Sequence, residues 1–308
     1  MTPRCFGCGA RGWTARGEWL GCNHCGVQAR KPYDAAACDA ALDALLRPGA
    51  CALGPDLPFH ADIYTLRILA SRRSLAVQPM DREDAAALAY PHSPHPARAW
   101  LAPRAPAPPR VALAMILRAD ALDGAFGRIE AWRDQFGEIV LVLDAPEAPP
   151  ETRGSTTILR HPLAGDFAAQ RNRAQRAAGS PWVLQLDDDE TPSADLLSAI
   201  NALAAQADAQ NVVSVGHRRR NLVDGAWSDL WPDVQYRLNR REVRFRGAVH
   251  ERPAVPGGWR RATIALDGTI DHYLERARVE ERSRRYEAMR EGGGRPGDER
   301  ALLRPFAP

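Results

Sequence analysis

Trp182-Val183-Leu184-Gln185-Leu186-Asp187-Asp188-Asp189-Glu190 is a short apolar run, broken only by Gln185, that ends abruptly in four acids. A run this brief between charged boundaries reads as a strand buried on both faces of a sheet. Four adjacent carboxylates at a strand end repel one another unless a cation or solvent relieves them, and hard oxygen ligands suit Mg²⁺ or Mn²⁺. Alternate residues of an extended chain share a face, so Asp187 and Asp189 can act on one ligand while Asp188 points elsewhere. A solvated acidic turn that caps the next helix explains the run equally well.

Outward from this stretch, short apolar runs alternate with amphipathic ones, the pattern of a largely parallel α/β sheet. Residues 111–117 and 139–143 read as buried strands, the second ending in Asp144, with a helix over 124–136 between them. A Pro-rich loop and a short strand at 156–159 follow. Asp166 is placed to cap a helix through Ala178 with Gly179 as its stop. After the acidic run, Thr191 and Pro192 are expected to open a helix whose Leu196, Leu197, Ile200, Leu203 and Ala204 share one face. Open α/β sheets bind ligands beyond the carboxyl ends of their strands, where both Asp144 and the acidic run fall.

The N-terminal third has a different character. Cys5 and Cys8 form one C-x-x-C pair and Cys22 and Cys25 another, with 13 residues between the pairs. Two such knuckles can point four thiolates at one ion, a closed tetrahedral zinc site that is structural, not catalytic. A redox dithiol is the alternative, although it needs only one pair. A segment this small cannot stabilise itself by burial, so the metal would supply most of its folding free energy. Cys38 and Cys51 lack partners at ligand spacing and read as buried small hydrophobes. Trp13, Trp19, Arg11 and Arg16 could form a stacking and phosphate-contacting face, or simply belong to a docking module. Residues 34–47 read as a helix, and seven prolines within 91–109 argue for an extended linker and against a central strand.

Several motifs in fixed order resemble glycosyltransferase family 2 across most of 111–286. Phe167-Ala168-Ala169-Gln170-Arg171-Asn172 followed by the strand ending Asp187-Asp188-Asp189-Glu190 looks like that family's Arg-Asn helix and Asp-x-Asp strand end. Arg246-Gly247-Ala248-Val249-His250-Glu251 resembles the Gly-x-Val-His-Glu element of a subgroup that includes lipopolysaccharide core β-glucosyltransferases. Asp271-His272-Tyr273 resembles the later strand with its His. The resemblance implies a GT-A fold and a metal-dependent, inverting transfer from a nucleotide-sugar donor, UDP-hexose favoured, to a glycan, glycolipid or peptide acceptor. It implies that Asp189 binds the Mg²⁺ or Mn²⁺ that bridges the diphosphate, with Asp187 contacting the sugar or ribose directly or through that ion. His272 would complete the metal shell or touch the diphosphate, Arg171 and His250 would lie at the nucleotide-sugar, and Asp144 would hold the base. Glu251 is the first candidate for catalytic base and Asp233 the second. Family members follow the second strand's Asp with a Gly-Ser-Thr-Asp-like turn, whereas this chain has Asp144-Ala145-Pro146-Glu147, which leaves base recognition and the donor open.

The resulting organisation is a zinc ribbon at 1–30, a mostly helical segment at 31–90, the Pro-rich linker at 91–109, the GT-A domain at 110–290 and a flexible tail at 291–308. The net charge of +3 over 308 residues, with Lys31 the only lysine, gives little reason to expect a polyanionic partner. Arg218, Arg219, Arg220, Arg237, Arg240, Arg241, Arg244 and Arg246 make the acceptor side locally basic, suiting peripheral contact with an anionic membrane; ordinary solvated arginine is the alternative. The mixed Arg and Glu of 275–291 read as a solvated helix, so nucleic acid is disfavoured. No apolar run approaches the length of a bilayer span, and the cytoplasm is the expected compartment. The competing expectation is a zinc-ribbon adaptor or nucleic-acid binder with an inactive transferase-like domain.

Overall fold

The computed structural model describes residues 2–308 except His92, Val249 and Arg290. The chain forms two compact units, Met1–Ala105 with Thr263–Asp267 and Pro308, and Pro106–Ala262 with Gly268–Ala307.

The first unit runs β1 (Trp13–Arg16), β2 (Trp19–Cys22), β3 (Gln28–Arg30), α1 (Ala35–Leu45), β4 (Gly49–Ala52), β5 (Phe59–His60), α2 (Ile63–Ala70), β6 (Leu75–Pro79), α3 (Arg82–Ala87) and β7 (Arg98–Pro103). Its strands form two antiparallel sheets, ordered β1-β2-β3-β5 and β4-β7-β6. Each helix begins at an aspartate, Asp34, Asp62 or Asp81, whose carboxylate accepts a first-turn N–H. Such a cap contributes about 1 kcal/mol. Two sequence expectations are corrected here. Residues 31–90 carry strands β4, β5 and β6 besides their helices, because Leu75 and Val77 alternate inward at period two. The stretch 91–109 is not all linker: it holds β7, the central strand of its sheet, proline-free up to its last residue Pro103, with Ala99 and Leu101 buried and Arg98 and Trp100 exposed.

The second unit runs β8 (Val111–Arg118), α4 (Leu122–Glu130), β9 (Glu138–Asp144), β10 (Ala148–Arg153), β11 (Thr156–Arg160), α5 (Phe167–Ala177), β12 (Trp182–Asp187), β13 (Glu190–Pro192) and α6 (Ala194–Ala209). It continues through β14 (Ser214–Val223), β15 (Ala226–Trp227), β16 (Asp233–Arg240), β17 (Arg244–Arg246), β18 (Arg252–Ala254), β19 (Ala262–Leu274), α7 (Arg276–Met289) and α8 (Pro296–Leu302). The large sheet is ordered β10-β11-β9-β8-β12-β16-β14-β19-β13, with β15 on β14. Strands β11, β9, β8 and β12 are parallel, while β10, β16, β14 and β13 pair antiparallel. The sheet is therefore mixed where a mostly parallel one was expected, and it is compatible with a nucleotide-binding fold.

The parallel half is buried on both faces. Ala112, Ala114, Val140, Val142 and Val183 pack against Ala174 and Ala178 at the end of α5. Each fully buried Val or Leu here contributes about 1.5–3 kcal/mol, and the alanines let helix and sheet approach closely. Helix α5 is capped by Asp166 as expected, but it ends at an extended Ala178 and Gly179 does not take the left-handed conformation. The Pro-rich loop after Asp144 holds edge strand β10, with Pro149 and Pro150 at a shift of register. An edge with a bulge tolerates the lost N–H donors. Thr191 and Pro192 do not open α6: they pair with Asp271 and Ile270, and Ser193 is the cap. The expected flexible tail contains α8, whose Leu302 packs with Val223, Leu274 and Val279, and Phe306 stacks on Trp227 at 3.7 Å. Among the described residues no helix is long and apolar enough to cross a membrane.

Candidate functional site

Helix α5 presents Ala168, Arg171 and Ala174 on one face, three residues apart, and the two alanines leave room for the Arg171 side chain to lie within the fold, 1% exposed. Its guanidinium emerges at the carboxyl end of β12. There Arg171 Nη2 donates to Asp187 Oδ1 at 2.7 Å and Nε donates to Glu251 Oε1 at 2.5 Å. The other oxygen of Asp187 is taken by Arg237 Nη2 at 2.5 Å, and that same donor reaches Glu190 Oε1 at 2.7 Å. Glu190 also accepts from Arg219 Nη1 at 2.9 Å, and Arg219 Nη2 donates to Asp233 Oδ2 at 2.6 Å. Asp233 accepts from Asn221 Nδ2 at 3.2 Å, and Asn221 Oδ1 lies 2.7 Å from His272 Nδ1. His272 Nε2 lies 3.3 Å from Asp189 Oδ2. The segments 171, 187–190, 219–221, 233–237, 251 and 272 thus form one connected polar chain. Burial pushes the carboxyls of Asp187 and Asp233 up, and the adjoining guanidiniums outweigh it, holding both well below the ordinary carboxylate range.

The orientation of His272 follows from its neighbours. Asn221 Nδ2 faces two acceptors, Leu230 O and Asp233 Oδ2, so its Oδ1 is the atom turned to the ring. An amide oxygen only accepts, so Nδ1 of His272 carries the hydrogen. Nε2 then meets the Asp189 carboxylate with either a second proton or a lone pair. In the second case two acceptors face each other, an arrangement that a cation between them resolves; a ligating His characteristically donates its other N–H to a fixed acceptor in this way. Burial pushes the Asp189 carboxyl up, and His272 beside it pulls it below the ordinary value.

Within this chain three guanidiniums, of Arg171, Arg219 and Arg237, face five carboxylates, of Asp187, Asp189, Glu190, Asp233 and Glu251. Arg252 also acts on Asp233 and Arg282 on Asp189, so the surroundings of the hydrogen-bonded network carry no clear excess of either sign. Asp188 points away toward Arg118, 4.0 Å off, and its carboxyl is raised by burial and by Asp189. Asp144 lies apart from the chain, accepting from Leu163 N at 2.8 Å. His250, left-handed at φ 51°, bonds Gly293 O at 2.6 Å and packs edge-on to Tyr286. Val249 of the same motif lies outside the described residues.

Glu190 and Asn221 had no assigned role in the sequence, and Arg219 and Arg237 were read only as part of the basic acceptor side. In β16 polar and apolar residues alternate, with Asp233, Gln235 and Arg237 on one face, whereas the run His217 to Asn221 of β14 is polar throughout and carries no such period. Arg219 and Asp233 are direct cross-strand partners. The basic surface expected from the arginine run is also reduced by pairing, since Arg220 binds Asp271 at 2.6 Å and Arg240 binds Asp208 at 2.6 Å.

In the first unit Cys5, Cys8, Cys22 and Cys25 are buried with their sulfurs all within 4.8 Å of one another. Cys5 and Cys25 are 3.7 Å apart and Cys8 and Cys22 3.6 Å. Zn–S bonds of about 2.3 Å in a tetrahedron set sulfur–sulfur edges of about 3.8 Å, so the four residues fit zinc. Among the described residues this is the one grouping of three or more such ligands at that spacing. Burial pushes the thiols of Cys38 and Cys51 up to about 11, in keeping with inert core cysteines.

No family model matches the chain, and no curated protein matches it. Among solved structures it is similar to the crystal structure of S. aureus TarS 1-349, at a TM-score of 0.32 and 10% identity over 57% of this chain. The match spans 64% of that structure, less than two thirds of its length.

Proposed function

We propose that the chain is a glycosyltransferase of GT-A type that moves a sugar from a nucleotide-sugar donor, UDP-hexose favoured, to a glycan, glycolipid or peptide hydroxyl with inversion. The observation that carries this reading is the geometry of His272 beyond the end of β12: Nδ1 faces Asn221 Oδ1 and Nε2 lies 3.3 Å from Asp189 Oδ2, so that a neutral ring and the carboxylate would together offer two ligand atoms to one cation. Asp189 and His272 would hold Mg²⁺ or Mn²⁺, an ion that keeps donor phosphates and water among its ligands, so two protein ligands suffice. When bound, it would offset the charge of the diphosphate and of the leaving group. Asp187, with each oxygen held by a guanidinium, serves instead to orient Arg171 and Arg237 toward the donor. Asp144, at the end of β9, is the residue proposed for the base, and His250 for the nucleotide-sugar side.

Glu251 is the stronger candidate for the base. Its Oε2 has no hydrogen bond among the described residues, whereas both oxygens of Asp233 are engaged, by Gln235 on one side and by Arg219 and Asn221 on the other. The Glu251 carboxylate takes the acceptor's proton as its oxygen attacks the anomeric carbon and the bond to the diphosphate breaks, giving inversion. Zinc at the four cysteines is structural in this account. A donor-hydrolysis screen over several nucleotide sugars tests the proposal without an acceptor: slow, metal-dependent release of UDP supports it, and no turnover or binding with any donor contradicts it.

A further inference from the structure

Helix α5 and β17 flank an open cleft of about 430 Å³ whose lining includes Asp166, Ala168, Arg173, Arg176, Phe245 and Arg246. Small-molecule sites occupy about 300–1,000 Å³, so the space suits a single sugar-sized group. The cleft is built, not incidental. Asn172 ties its two walls together, donating to Phe245 O at 3.0 Å and accepting from Phe245 N at 2.7 Å.

Its charge is lopsided. Arg173 donates to His161 Nε2 at 2.8 Å and reaches Gln170 Oε1 at 3.5 Å, neither of them a carboxylate. The side chains of Arg176 and Arg246 make no hydrogen bond or ion pair among the described residues. Arg173 and Arg176 are three apart on α5, hence neighbours on its surface, and Arg246 belongs to the opposite wall. The single acid, Asp166, spends one oxygen on Ala169 N as the helix cap, at 2.9 Å. Arg173, half-buried, and Arg176 and Arg246, both exposed, line one cleft with no ion pair to a carboxylate among the described residues, and an oxyanion there could accept bidentate, charge-assisted bonds from them.

We propose that this cleft binds the oxyanion of a phosphorylated saccharide, free in solution or carried on a lipid. Resting on the transferase reading above, that saccharide is the acceptor; Glu251, the proposed base, follows the lining residue Ala248 by three positions in the sequence.

The test is calorimetric titration of glucose 6-phosphate, with glucose as the neutral control, into the full chain and into an R176A/R246A variant. R284A, which removes an exposed arginine of α7, controls for bulk charge. The proposal expects glucose 6-phosphate but not glucose to bind, at least about tenfold weaker binding in the double variant, and no change in R284A. Flotation with phosphatidylcholine vesicles containing phosphatidic acid separates the sources. Vesicle binding lost in the double variant supports a lipid-borne ligand; glucose 6-phosphate binding without vesicle association supports a soluble one. Equal binding by wild type and double variant, an equal loss in R284A, or no binding of either probe overturns the proposal. UDP-glucose with Mn²⁺ is titrated in parallel. If it fails to bind while glucose 6-phosphate binds, the acceptor role and the transferase reading fall and the oxyanion site stands; the reverse result removes the cleft alone.

Discussion

Arg237 holds the fully buried carboxylate of Glu190 at 2.7 Å while the same nitrogen reaches Asp187 at 2.5 Å, so one guanidinium fastens the strand that enters the acidic turn to the strand that leaves it. Glu190 adds a third tie, accepting from the Asp187 N–H at 3.1 Å. The turn that carries Asp189 is therefore set by charges lying behind it.

Substituting Glu190→Gln keeps the shape and removes the charge, leaving Arg219 and Arg237 to share Asp187 and Asp233. Breaking a buried pair by deleting one partner costs about 3–5 kcal/mol, and the remaining carboxylates place this variant near the lower figure. Urea denaturation measures it. A loss below about 1 kcal/mol, the worth of a surface ion pair, would show that Glu190 is not the anchor.

Much of this centre was legible beforehand. Asp187, Asp189, Arg171, Glu251 and His272 were singled out from short motifs and Asp233 as a second candidate base, and each occurs in the connected chain. Those motifs read well because each sits at the end of a strand or on a helix whose local pattern is strong. Glu190 had no role and Arg219 and Arg237 were read only as part of a basic surface, since their ion pairs depend on β16 lying antiparallel to β12 and β14 antiparallel to β16, long-range pairings that the local sequence does not report. The same reason hid β7: Arg98 to Ala102 is proline-free, yet the surrounding prolines dominated the pattern, and only pairing with β4 and β6 makes it a central strand.

The four-cysteine cluster predicts about one zinc per chain by elemental analysis of the purified protein. Replacing Cys8→Ser together with Cys22→Ser should abolish it and unfold the β1-β2-β3-β5 sheet, because a structural zinc supplies on the order of 10 kcal/mol of folding free energy to such a module. Retention of the sheet's hydrogen-exchange protection in the metal-free variant would contradict a structural role.

Burial holds the His250 imidazole below its ordinary value of 6.5, with the Arg295 charge acting in the same direction. The folded state thus binds this proton less readily than the unfolded chain. Its effect on stability is absent above pH 6.5 and grows as pH falls below that value toward the folded one. His250→Asn should flatten that acid limb of the stability profile, and proton NMR of the ring should titrate below 6.5; titration above 6.5 would reverse the sign and refute the assignment.

Calorimetric titration of UDP-sugars in the presence and absence of Mn²⁺, repeated on Asp189→Ala, addresses the proposed donor site most directly. The account predicts binding that requires the ion in the wild type and disappears in the variant. Equal binding with and without Mn²⁺, or an Asp189→Ala variant that still binds as the wild type does, would contradict it.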